Sequence, residues 1–199
     1  SGEAADLHAL LQACVHLQHQ GYPVIVLDGT EREAPHSPGL QDLLQPGLGR
    51  SSVPVDMSDP DIIATLPAAC GMVQLAHQAR EQQQNPLALL QQYVGNHALA
   101  VLVAPAPLLS PLLQGCQQAP LLMVPYQRSG VLACYRALKH IFMDTGLMPR
   151  LLALRPHYSG LDPLLKSIAM CSLHHLRSEP LAQQLDPDQP RQLQRWSLQ

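Results

Sequence analysis

Short apolar runs that alternate with stretches of helical spacing constrain the fold of this chain most. The clearest runs, at 23–27, 98–103, 120–125 and 151–154, are apolar throughout rather than at every second position. Such runs are typical of strands buried on both faces of a parallel sheet. Because helical patterns lie between them, the order predicts an α/β fold, a mostly parallel sheet with helices on both faces. A weaker candidate strand lies at 61–66.

Apolar residues at helical spacing predict the helices between these strands. The first covers 7–17, and Asp6 before it is a candidate N-cap because its carboxylate can accept from the first free N–H groups. Pro86 is predicted to separate two helices within 73–94. A helical turn at 40–44, a short helix at 108–113 and longer helices at 131–142 and 161–172 complete the prediction.

The pattern predicts one α/β domain over 1–176, followed by a polar, proline-rich surface tail over 177–199. The tail carries the only tryptophan of the chain, Trp196. Arg191 and Arg195 precede it, and a leucine follows two positions after it. It either packs on its own domain or frays, or it forms a short amphipathic helix that contacts a membrane surface or a partner.

Composition excludes several classes of protein. A chain of 199 residues can bury a sizeable core, and it has neither a long apolar span nor a basic, signal-like start. Its five cysteines are widely spaced, which predicts buried thiols in a reducing, cytoplasmic setting. With 4% aromatic residues and a net charge of −3, nucleic-acid binding is not expected. Ten histidines match no zinc motif, so we expect no metal and no cofactor.

Charge is unevenly distributed along the chain. Residues 1–100 carry ten acids and three bases, whereas residues 101–199 carry five acids and nine bases. Only Lys139 and Lys166 among the 12 basic residues are lysines. This asymmetry indicates either ordinary solvated surfaces or a polar molecule that presents a basic face to a partner.

The order of these segments resembles that of MinD/ParA-type P-loop ATPases, closest to the flagellar-number regulator branch. The resemblance lies in the segments 8–29, 62–76, 89–107, 120–142 and 147–156. The most specific match is PLLMVPYQRSGVLACYRALKHIF at 120–142, which is similar to a segment with a Ser, a Tyr and a Lys at fixed spacing. It implies a P-loop NTPase-type fold over roughly residues 7–172.

The chemical motifs that this resemblance implies are missing. A phosphate loop would precede the first helix, but residues 1–6 have no glycine-rich run, no lysine and two acids. Asp28 matches the family's acid after the second strand. Thr30 stands two residues on, at the position of the residue that usually accompanies this acid in the family. Ala104 stands where the magnesium-binding acid belongs, and Arg155 replaces the asparagine that reads adenine. Because phosphoryl transfer depends on such positioning, we expect a pseudo-ATPase rather than an enzyme.

A candidate ligand or partner site follows from the carboxyl ends of the predicted strands, where open α/β sheets bind ligands. It comprises Asp28 together with Tyr126, Arg128 and Ser129, and Ser129 can alternatively be a helix N-cap. The bases Arg136, Lys139 and Arg155 extend it, unless they are simply a solvated face.

Two functions are therefore open. The first is a non-catalytic adaptor or regulator in the placement or assembly of a bacterial surface machine such as a flagellum, a pilus or a cellulose secretion system. The resemblance implies as partners an active MinD-like relative, a second copy of the chain or a machine component, with any membrane contact peripheral to the inner membrane. The alternative is a sensor of a nucleotide or cyclic dinucleotide that uses the vestigial nucleotide cleft.

Overall fold

The structure is a computed structural model that describes residues 2–34, 36–45, 61–94, 99–124, 130–154 and 162–185. It confirms an α/β protein with parallel strands. The elements in chain order are α1 Gly2–His19, β1 Val24–Asp28, α2 Leu40–Leu43, β2 Ala64–Pro67, α3 Ala69–Glu81, α4 Pro86–Val94, β3 Leu99–Val103, α5 Ala106–Leu109, a 3-10 helix Ser110–Leu113, β4 Leu121–Met123, α6 Gly130–Thr145, β5 Arg150–Leu154, α7 Pro163–Leu176 and β6 Ala182–Leu185.

The described strands form two three-stranded parallel sheets, where the sequence predicted one. The order is β2-β1-β3 in the first and β4-β5-β6 in the second. The chain divides accordingly into a first unit, Leu17–Cys116, and a second unit made of Ser1–His16 and Gln117–Gln199. The apolar runs predicted parallel strands correctly, but hydrophobicity within a strand does not specify which strands are neighbours.

The core of the first unit forms around its central strand β1. Ile25 lies opposite Ala64 and Ala100, and the side chains of this face pack with buried residues of α3 and α4, among them Met72 and Leu89. All five residues of β1 are buried, as expected for a strand covered on both faces.

The second unit has the same arrangement around β5. Leu151 lies opposite Leu122 and Ala182, and these residues share one core cluster with Leu138 of α6 and Leu165 of α7. Both helices therefore pack on the same face of this sheet, as consecutive crossovers of one hand require.

Two sequence predictions are corrected here. Asp6 is not an N-cap, because α1 begins at Gly2 and Asp6 lies inside the helix. The segment predicted as a tail contains β6, Ala182–Leu185, which pairs in parallel with β5. Its sequence, AQQL, lacks an apolar run because an edge strand needs less burial than a central one.

The separation of helices at Pro86 is confirmed, since α3 ends at Glu81 and α4 begins with Pro86 itself. A proline suits this first helical position because its missing N–H would have no partner within the helix. Among the helices of the described residues, none combines the length and the apolar character needed to cross a membrane.

Candidate functional site

The carboxyl end of the first sheet is where an open α/β fold would place a ligand, and Asp28 lies there. Its side chain is 4% exposed, and its Oδ1 accepts from the Thr30 backbone N–H at 2.8 Å and from the Thr30 hydroxyl at 2.6 Å. Asp28 and Thr30 thus form a closed local turn after β1. The carboxylate oxygen that makes these bonds serves the fold of the turn.

Backbone bonds fasten this turn to both neighbouring strands. The Asp28 carbonyl accepts from the Ala68 N–H at 2.8 Å, and the Gly29 N–H donates to the Val103 carbonyl at 2.7 Å. The N–H of Ala69, the first residue of α3, donates to the Glu31 carbonyl at 3.0 Å. The ends of the three strands are therefore tied together by main-chain atoms.

Glu33 occupies the N-terminus of α3. Its Oε2 accepts from the Cys70 N–H at 2.8 Å, and its Oε1 accepts from the Gly71 N–H at 2.7 Å. Oε1 also lies 3.3 Å from the donating N–H nitrogen of Gln41, in the first turn of α2. One carboxylate thereby satisfies free N–H groups of two helices.

The start of α3 needs such an outside acceptor because its own cap position cannot supply one. The N-cap residue is Ala68, which has no side-chain oxygen, and no side chain at that position makes a cap bond. The first N–H groups of a helix have no partner within the helix, and the helix dipole favours negative charge there. Glu33 supplies both the hydrogen bonds and the charge.

Glycines allow α2 to approach α3 closely enough for this arrangement. A Cβ atom at Gly71 would lie 2.6 Å from the backbone nitrogen of Gln41 and 2.6 Å from Leu40 Cβ. A Cβ atom at Gly39 would collide with the carbonyl oxygen of Pro67. Only residues without a side chain fit at these two positions.

Two further helices also hold side-chain acceptors of the chain at their N-termini. Asn85 Oδ1 accepts from the Leu87 N–H at 2.9 Å at the start of α4, and Asp162 Oδ1 accepts from the Leu164 N–H at 2.6 Å at the start of α7. A helix N-terminus that already holds an oxygen acceptor is not available to an added phosphate without displacement of that acceptor.

The described residues offer little else for small-molecule chemistry. They contain no group of three or more His, Cys, Asp or Glu side chains placed to hold a metal ion. A shallow groove of about 150 Å³ lies between α3 and α5. Apolar residues, one histidine and one arginine line it: Met72, Val73, Ala76, His77, Arg80, Pro107, Leu108 and Pro111.

The other predicted site residues are placed as follows. Arg136 is exposed on α6 in the second unit, whereas Asp28 belongs to the first. Tyr126, Arg128, Ser129 and Arg155 lie outside the described residues, as do Arg191, Arg195 and Trp196 of the predicted tail. For all of them, Asp28 and Arg136 included, the site assignment stays a prediction from sequence.

The five cysteines are free thiols, and the prediction that all are buried is wrong for three of them, since Cys70 and Cys116 are only half-buried and one more is exposed. Cys14 and Cys134 are buried, but Cys171 is exposed on α7. Burial raises the pKa of Cys14 from 9.0 to about 11, which keeps this thiol protonated and weakly nucleophilic at neutral pH.

Sequence reasoning missed Glu33 because it lies 37 residues before Cys70 in a segment predicted as loop. A signal for it was present: the helix begins at Ala69, and the residue before it, Ala68, is not one of the usual cap residues Ser, Thr, Asp or Asn.

Comparison with known proteins adds no assignment, since no family model, curated protein or solved structure matches the chain.

Proposed function

We propose that this chain is a non-catalytic adaptor or regulator that binds protein partners and has no nucleotide chemistry. The observation that carries the proposal is Glu33, whose carboxylate fills the N-terminus of α3 at the carboxyl end of the first sheet. A phosphate entering there would meet a fixed negative charge and would have to break its bonds to the Cys70 and Gly71 N–H groups.

The start of α1 supports the same proposal. Residues 2–6 are helical, and the sequence there contains Glu3 and Asp6 but no lysine. A phosphate-binding loop instead needs non-helical, glycine-rich backbone whose N–H groups converge on the phosphates, with a lysine nearby. Asp28 is the acid that matches the family pattern, and one of its carboxylate oxygens already accepts hydrogen bonds from the backbone N–H and the hydroxyl of Thr30.

The process in which the adaptor acts comes from the sequence resemblance to MinD/ParA-type proteins. Members of that group place and count surface machines, so the proposed partners are an active MinD-like relative, a second copy of this chain, or a component of a flagellar, pilus or cellulose secretion system. The proposed location is cytoplasmic, with any membrane contact peripheral.

A thermal-shift screen tests the proposal against the nucleotide sensor. The chain is heated with ATP, ADP, GTP and cyclic di-GMP, each with Mg²⁺ at millimolar concentration. A ligand that binds only the folded state stabilises it by RT ln(1 + [L]/Kd) and therefore raises the melting temperature. The proposal predicts no shift with any of them, and a clear shift with one identifies a sensor instead.

A further inference from the structure

Helices α6 and α7 lie side by side on one face of the second sheet. They bury Leu138 and Ile141 of α6 and Leu165 and Ile168 of α7. The rings of Tyr135 and His175 lie 6.3 Å apart, so these residues mark the sides on which the two helices face each other.

The side of α6 opposite its buried residues is exposed and mixed in character. Leu132, Arg136, Lys139 and Met143 follow one another at intervals of four, three and four residues, which places them in one stripe. All four are exposed, and the two apolar ones expose 57% and 66% of their surface. These four residues are called the outer α6 face.

The charge of this face is basic. Arg136 and Lys139 are both exposed on it. Acids are few among the described residues of α6 and α7: Asp144 lies 3.3 Å from His140 as its i,i+4 partner, and the preceding Asp162 is buried as the cap of α7. Neither acid belongs to the stripe on α6.

We propose that the outer α6 face binds an acidic amphipathic helix of a protein partner. This deepens the proposed adaptor function and rests on it. The complement of a basic, partly apolar face is an apolar stripe accompanied by carboxylates, because opposite charges steer the encounter and the apolar side chains supply the contact area.

The stripe specifies the partner's pattern. From Leu132 to Met143 a helix rises about 16 Å, or three turns. The order along it is apolar, basic, basic, apolar. A matching helix carries two acids three or four residues apart, opposite Arg136 and Lys139, with a large apolar residue about one turn beyond each acid.

A protein helix fits this face better than a lipid surface does. The exposed apolar residues of the face are Leu132 and Met143, and neither is aromatic. Methionine adapts to varied protein surfaces, whereas interfacial membrane binding commonly uses Trp or Phe among the inserted residues. The membrane is therefore an outcome of the test and not part of the proposal.

The test uses a labelled synthetic peptide of about 18 residues, long enough to form a helix on binding. The peptide has the acid and apolar pattern given above, and a second peptide has lysines in place of the acids. Binding to the whole chain is followed by fluorescence anisotropy. We expect the acidic peptide to bind, and we expect R136E/K139E to weaken binding by at least about ten-fold. The lysine peptide should prefer this variant to the original chain.

The matched control is R32E/R80E, which changes the net charge equally at exposed positions in the first unit. It should leave peptide binding within about two-fold of the original chain. A second variant, L132S/M143S, removes the apolar contacts and should also weaken binding. Circular dichroism of each variant establishes that the fold is kept.

Three results would overturn the proposal: no binding of the acidic peptide, equal weakening by R32E/R80E, or binding only to vesicles of phosphatidylglycerol and phosphatidylcholine. The last result would assign the face to membranes. These outcomes are distinct from failure of the adaptor function itself, which is shown by nucleotide binding in the thermal-shift screen whatever the peptide does.

Discussion

The Oε1 atom of Glu33 lies 2.7 Å from the backbone nitrogen of Gly71, which donates its hydrogen to it. This bond joins the segment after β1 to the first turn of α3, across 38 residues of sequence. Because Oε2 accepts from Cys70 at the same time, both oxygens of the carboxylate are used at one helix end. The first turn of α3 is therefore capped by a side chain from a distant part of the sequence.

Removal of this carboxylate should destabilise the first unit. Glu33→Ala leaves the N–H groups of Cys70 and Gly71 without their acceptor, and we expect a loss of about 2 kcal/mol in the free energy of unfolding. Urea unfolding followed by circular dichroism measures it. The control is Glu31→Ala at an exposed residue whose backbone N–H and carbonyl make its hydrogen bonds here, with an expected change within about 0.5 kcal/mol. Equal effects of the two changes would contradict the role given to Glu33.

The close approach of α2 to α3 predicts the sign of a second effect. In an uncrowded helix, Gly→Ala stabilises by about 1 kcal/mol. At Gly71 the new methyl group would lie 2.6 Å from Leu40 Cβ, so we expect Gly71→Ala to destabilise by about 1–3 kcal/mol instead. Chemical denaturation measures the change in the free energy of unfolding. A gain in stability would show that α2 does not pack this closely against Gly71.

Ser110 offers a test of a buried polar group. Its residue is 1% exposed, and its hydroxyl oxygen has no hydrogen-bond partner among the described residues. Replacement by alanine removes the cost of burying that hydroxyl, so Ser110→Ala should raise the free energy of unfolding by about 1 kcal/mol. A thermal melt compares the two proteins. A clear loss of stability would mean that the hydroxyl makes a bond that stabilises the fold.

The thiols should differ in reactivity according to burial and pKa. With limiting iodoacetamide at pH 8, followed by mass spectrometry of peptides, the exposed Cys171 should be modified well before Cys14 and Cys134. Equal labelling of Cys14 and Cys171 in the folded protein would contradict this order.

The raised pKa of Cys14 also predicts that the free energy of unfolding depends on pH. Its folded pKa is raised from 9.0 to about 11, so the folded state holds this proton more tightly than the unfolded state does. The contribution is complete below pH 9 and is lost as the pH rises from about 9 to about 11. Cys14→Ala should make the unfolding free energy less sensitive to pH in that window, as measured by urea titrations at pH 8 and pH 10.5. An unchanged pH dependence would contradict the assignment.

The elements of the fold were largely predictable from the sequence, and their pairing was not. The run at 98–103 predicted β3 because each of its residues is apolar, and Pro86 predicted the break between α3 and α4. Division into two sheets depends on hydrogen bonds between distant segments, which no local pattern specifies. The strand β6 escaped detection because its two glutamines match an exposed edge.

The candidate site was less predictable than the fold. Asp28 was found because an acid directly after a buried strand is a local signal. Glu33 acts on a helix that begins far along the chain, so its role depends on tertiary structure. Arg136 was predicted in a ligand or partner site, and the structure places it at an exposed position on α6.

The most direct test of the central claim is isothermal titration of the whole chain with ATP and Mg²⁺, because it measures the nucleotide binding that a non-catalytic adaptor is proposed to lack. The account predicts heats that do not differ from dilution of the nucleotide into buffer, up to millimolar concentration, and no release of phosphate. Saturable binding in the micromolar range, or measurable turnover, would contradict it.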